Sequence, residues 1–132
     1  AYVQCTHRHP QWGILIRALP GLFAAAPDIG RLVGQPHSFI VFFPMVQAVS
    51  QGLFRVVAHC PVPEGAREFP LFRAPGLRGA SGPVKKWWLW NGTKAWRIDS
   101  LKPEQQDLPV REVWTDTLLI ERLANGWTQQ AS

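Results

Sequence analysis

Cys5, His7 and His9 alternate near the start of the chain, and on an extended strand all three would project to one side. His59 and Cys60 would then complete a set of soft nitrogen and sulfur ligands of the kind that holds zinc. Structural zinc sites draw their ligands in close pairs, and Cys-x-His-x-His has no second pair of matching form here. The pattern therefore reads as histidines and reduced thiols with no metal. Nucleophilic chemistry has no better footing: Ser38, Ser50, Ser81 and Ser100 lie outside any G-x-S-x-G elbow, and there is no H-E-x-x-H, P-loop or G-x-G-x-x-G element. Glu104, Asp107, Glu112, Asp116 and Glu121 fall in a tail of turns and one helix face, whereas acid–base work needs two carboxylates converging in a cleft. These absences predict a non-enzymatic protein without a cofactor.

Binding chemistry is better represented. Tryptophan is abundant, with seven in 132 residues, and most of those indoles must be core. One or two are free to mark a hot spot, where Trp and basic side chains are favoured, and Lys85, Lys86, Trp87 and Lys94 gather that combination around a single hairpin. With Glu112 from the acidic tail, these five are the predicted partner-binding residues. The same basic aromatic face would also stack single-stranded bases, which makes a nucleic-acid-binding module the alternative.

The hairpin that must carry them is the clearest local signal. Trp87, Trp88, Leu89 and Trp90 run into Asn91-Gly92 and out through Thr93 to Arg97, which predicts a two-residue turn pairing Trp90 with Thr93 and Trp88 with Ala95. Alternation puts Trp88 and Trp90 on one face and Trp87 and Leu89 on the other, so both faces are apolar. Residues 12–19 read as a strand ending at Pro20-Gly21, residues 39–43 as a strand buried on both faces between Pro36 and Pro44, and residues 53–59 as a third, alternating strand. Residues 22–36 suit an irregular connection with one short helical turn. Pro and Gly interrupt residues 61–83 so often that a loop results, held to the core by Phe69, Leu71 and Phe72. Lys102 to Gln106 suits a helical turn with Pro103 in it. A capped helix follows, with Thr115 and Asp116 at its start and Gly126 in the left-handed position after its end.

Length and balance fit these parts into a single domain over residues 1–132, with 61–83 as a Pro/Gly-rich loop within it. The expected fold class is α+β: a mainly antiparallel curled sheet or open barrel with a short C-terminal helix. Hydrophobic types are 46% and charged types 17%, a balance that excludes wholesale disorder. No apolar run approaches the ~18 residues of a membrane span, and no charged segment leads into an apolar one as a secretory signal would, so the expected location is cytoplasmic. Cys5 and Cys60 are too few for a disulfide framework. The net charge is +5, divided into +7 before residue 95 and −2 after it, which favours acidic partners. Only Lys85 and Lys86 are adjacent, so no basic run marks a nucleic-acid arm.

Phe39-Ile40-Val41-Phe42-Phe43-Pro44, Trp87-Trp88-Leu89-Trp90-Asn91-Gly92, Leu108-Pro109, Leu118-Leu119-Ile120-Glu121-Arg122 and Gly126-Trp127 together resemble the immunity protein 26 family of bacterial polymorphic toxin systems. The resemblance covers residues 39–127. It implies a small cytosolic antidote that binds a cognate toxin and occludes it without catalysis. A basic protein is poorly suited to mimic nucleic acid on a nuclease toxin, although the acidic tail would supply a local negative surface.

Overall fold

The computed structural model describes residues 1–75 and 87–129. Two three-stranded antiparallel sheets and three helices make up a mixed α+β fold, and neither sheet closes into a barrel. The first sheet pairs β1 (Val3–His9) with β2 (Gly13–Ala18) and β2 with β3 (Phe39–Phe43). Gly13, at φ +87°, takes the left-handed position that lets the chain reverse between β1 and β2. The second sheet pairs β4 (Phe72–Pro75) with β5 (Trp87–Trp90) and β5 with β6 (Ala95–Ile98). Helices α1 (Ile29–Val33), α2 (Met45–Ser50) and α3 (Asp116–Ala124) complete the order, with 3-10 turns at Glu64–Ala66 and Pro103–Gln105.

Alternation on β2 and β3 builds two cores, one on each side of the first sheet. Ile16, Ala18, Phe39, Val41 and Phe43 face one way and pack with Met45 and Ala48 of α2 and with Trp114, Leu119 and Leu123. Leu15 and Phe42 face the other way and meet Phe72 and Trp90 of the second sheet. The run at 39–43 is thus apolar throughout because both of its faces are covered. Helix α3 docks by one face, and its ends carry the caps its sequence predicts. Thr115 accepts from the Leu118 N–H, and Gly126 at φ +66° lets the Gly126 and Trp127 N–H groups donate to Leu123 and Arg122.

No backbone hydrogen bond among the described residues joins the two sheets directly; an extended stretch after residue 108 lies between them. Arg73 N–H donates to Pro109 O at 2.9 Å and Arg111 N–H to Arg73 O at 2.9 Å, while Trp114 N–H donates to Phe42 O at 3.0 Å. The bridges Arg73 to Val110 and Phe42 to Val113 are both parallel.

Four expectations are corrected. Residues 53–59 form no strand: they join no ladder among the described residues, and Val56 and Val57 are exposed. The hairpin register is longer, with Trp90 opposite Ala95 and Trp88 opposite Arg97. Its loop is Asn91 to Lys94 because the Asn91 side chain, instead of adopting positive φ, accepts the Thr93 and Lys94 N–H groups at 3.1 and 2.8 Å; only Gly92 is left-handed, at φ +99°. Phe72–Pro75, inside the stretch that read as a loop, form strand β4 paired with β5. Finally, β1 carries a bulge between Cys5 and His7, so Cys5 stands opposite Ile16 and His7 opposite Leu15, on different faces of the sheet. Cys5, His7 and His9 do not project to one side.

Candidate functional site

The bulge explains what the histidines do. His7 and His9 lie on the face that meets the second sheet, and each reaches a loop far along the chain. His9 Nδ1 accepts from the Gln11 and Trp12 N–H groups at 3.1 and 3.2 Å, so its Nε2 carries the proton and donates to Gly92 O at 2.8 Å. Its ring packs 5.0 Å from Trp90, fixing the hairpin loop against the β1–β2 turn. His7 Nε2 donates to Arg67 O at 2.8 Å. Cys60 packs with Tyr2 against Leu19, Leu32 and Val33, and both cysteines are free. No group of three or more His, Cys, Asp or Glu side chains converges among the described residues.

The predicted partner-binding residues scatter. Lys85 and Lys86 lie outside the described residues. Trp87 is half-buried with the Arg73 guanidinium 5.0 Å from its ring, whereas Lys94 is exposed in the loop at the opposite end of the hairpin. Glu112 lies on the stretch between the sheets, where its Oε1 accepts from Trp114 Nε1 at 2.8 Å. That bond satisfies an indole that is otherwise core, a positioning role that spacing along the chain does not reveal.

The pairing of β5 with β6 brings up other residues. Among the described residues β6 is the outer strand of its sheet, and its Ala95, Trp96 and Arg97 are exposed. Trp96 is 41% exposed and Trp88, directly across from Arg97, is 38% exposed, while Leu89 and Trp90 between them are buried. Trp88 and Arg97 therefore share one face and Trp96 emerges on the other. The signal was present in the sequence as two apolar faces, but only the true register decides which indoles are left outside.

Arginines organise the interior. Arg17, buried in the first sheet, donates to Gln4 Oε1 at 2.8 Å, to Gln35 O at 3.0 Å and to Val33 O. Arg73, also buried, donates to Leu108 O at 2.8 Å. Burial draws the pKa of both below the ordinary arginine value, and for Arg73 the charges of Asp107 and Glu112 oppose the change. Arg111 lies with its guanidinium 4.9 Å from the Trp12 ring and 5.1 Å from the Trp90 ring. Arg122 stacks similarly, 4.4 Å from Trp114 and 4.2 Å from Trp127. His37 is exposed, yet partial desolvation by the protein around it and then the Arg17 charge push its pKa down.

Two concavities hold about 70 and 50 Å³, small beside the roughly 300 Å³ and more of typical small-molecule pockets. No helix among the described residues is long and apolar enough to cross a membrane. Comparison with protein-family models, curated proteins and solved structures finds no match.

Proposed function

We propose that this chain is a non-enzymatic immunity-type protein that binds a cognate bacterial toxin and occludes it, acting in the cytoplasm. The reading combines the family resemblance of residues 39–127 with one observation: two indoles of the second sheet stand about two-fifths exposed, Trp88 across from Arg97 on one face and Trp96, two residues after Lys94, on the other face of strand β6. Indoles of that exposure beside cations have the composition of a binding hot spot. The net charge of +5 favours an acidic partner face. Trp88, Trp96, Arg97 and Lys94 are its contact residues, and Glu112, already engaged with Trp114, supports the fold instead.

The cross-strand pair of Trp88 and Arg97 favours a second reading, in which bases of a single strand stack on the indole. Tagged protein is used to capture partners from native cell lysate, with and without nuclease, alongside a Trp88→Ala/Trp96→Ala variant. A stoichiometric protein that survives nuclease and is lost from the variant supports the toxin reading. Recovery of nucleic acid alone, with affinity falling steeply with salt, overturns it.

A further inference from the structure

We propose that Arg111 is a carboxylate receptor: its guanidinium, resting against the adjoining rings of Trp12 and Trp90, takes an acidic side chain presented by a protein partner. The proposal rests on the reading that the chain binds a protein, and it names the chemistry that partner must offer. Among the described residues, Arg111 Nε is the buried side-chain nitrogen or oxygen that lacks a hydrogen-bond partner. Its fellow arginines are provided for. Arg17 has three acceptors, and Arg73 has a carbonyl acceptor with two carboxylates acting on its charge. Arg122, although stacked on two indoles, stands in the last turn of α3, where the carbonyl end of the helix balances a cation.

The Arg111 guanidinium has neither a hydrogen-bond acceptor nor a carboxylate among the described residues. A guanidinium taken partly out of water without a counter-charge is an incomplete arrangement, and it is completed when an anion arrives.

The geometry selects the anion. Trp12 and Trp90 meet the guanidinium from one side and its Nε is enclosed, so a partner approaches the terminal edge that carries the two Nη groups. A planar carboxylate meets that edge through two parallel N–H to O bonds. The surroundings are aromatic: Trp12 and Trp90 lie about 6 Å from each other and from Phe42. One acid delivered among apolar contacts fits this setting better than a phosphate chain, whose binding draws on cations in series. The backbone is held as well, because Arg111 N–H is bonded to Arg73 O and His9 fixes both the β1–β2 turn and the hairpin loop. The receptor is thus formed before its ligand binds.

The test titrates isotope-labelled protein with an acetylated, amidated hexaglutamate peptide, using hexaglutamine as the neutral control and a twelve-residue oligothymidylate as the phosphate probe. The readouts are the Nε–H resonance of Arg111 and the indole N–H resonances of Trp12 and Trp90. Hexaglutamate should move these three together and saturably. Arg111→Lys keeps the charge but loses the planar fork, and should weaken binding at least about tenfold, while Arg122→Lys should bind as wild type. Trp12→Leu, which removes one of the two supporting rings, should weaken binding in the same way if Arg111→Lys does not fold. Shifts spread evenly over the basic side chains, or an unchanged affinity in Arg111→Lys, would overturn the proposal. So would tighter, localised binding of the oligothymidylate. If the peptide fails while nuclease-resistant partner capture persists, the Arg111 receptor alone is lost; if capture fails, the reading beneath it is lost.

Discussion

Replacing Arg17 by Met removes three donors from a buried site. Arg17 is 2% exposed and its guanidinium holds Gln4 Oε1, Gln35 O and Val33 O, so it ties the sheet to the end of α1 and the turn after it. Each acceptor left unpaired costs about 1–3 kcal/mol, while the variant escapes the desolvation of the charge. A net loss of about 3 kcal/mol follows. For a chain of 132 residues, whose unfolding entropy is near 0.28 kcal/mol/K, that corresponds to a fall in Tm of roughly 10 °C. Urea unfolding followed by tryptophan fluorescence should show a lower midpoint with an unchanged slope, since the surface exposed on unfolding stays the same. Amide exchange should quicken at Gly34 and Gln35, whose N–H groups bond to Arg31 and Leu32 carbonyls in the turn that Arg17 anchors. A loss under about 1 kcal/mol, or unaltered exchange there, would refute the assignment of Arg17 as the anchor.

Gly92→Ala combines a φ of +99° with a Cβ 2.8 Å from the Phe69 ring, whereas Gly52→Ala at φ +77° meets nothing within 4 Å. Equilibrium unfolding should show the first costing at least about 1 kcal/mol more than the second. His9→Ala removes one donor and two accepted N–H bonds and should cost about 2–4 kcal/mol, with faster amide exchange at Asn91, whose N–H closes the loop onto Lys94 O. Glu112→Ala orphans the Trp114 indole N–H and should lower stability by about 1–2 kcal/mol without reducing partner capture. His37 has a folded pKa below its unfolded value, so the unfolded chain takes up the proton first. Its contribution is complete above the unfolded value and declines as pH falls below it through the folded value. Chemical denaturation at pH 7.5 and 5.0 should therefore show a smaller acid-induced loss in His37→Gln than in wild type.

Local chemistry made some elements legible. Thr115 and Gly126 delimit α3, and the Pro-bounded run at 39–43 signals a strand covered on both faces. Residues 53–59 show the limit of alternation: a β-prone pattern becomes a strand only where an open edge receives it, and none does here. β1 escaped notice because its polar residues and its bulge break the period that would have announced it. The binding residues were half legible for the same reason. Trp87 and Lys94 belong to the predicted hairpin, but a longer loop moves Arg97 opposite Trp88 and turns Trp96 outward. Arg111 and its two indoles are distant in sequence and meet only through tertiary pairing, so no spacing rule finds them.

The stretch joining the sheets follows both of them in the sequence. A nascent polypeptide that has emerged only as far as residue 108 already contains the six described strands, yet it lacks the bonds from Arg73 and Phe42 to the stretch between them. Synthesis therefore delivers the fastener after both sheets, which wait with their facing edges open until it arrives. During that interval those edges can recruit strands from neighbouring chains, so slow translation after residue 108 would favour aggregation more than slow translation anywhere earlier.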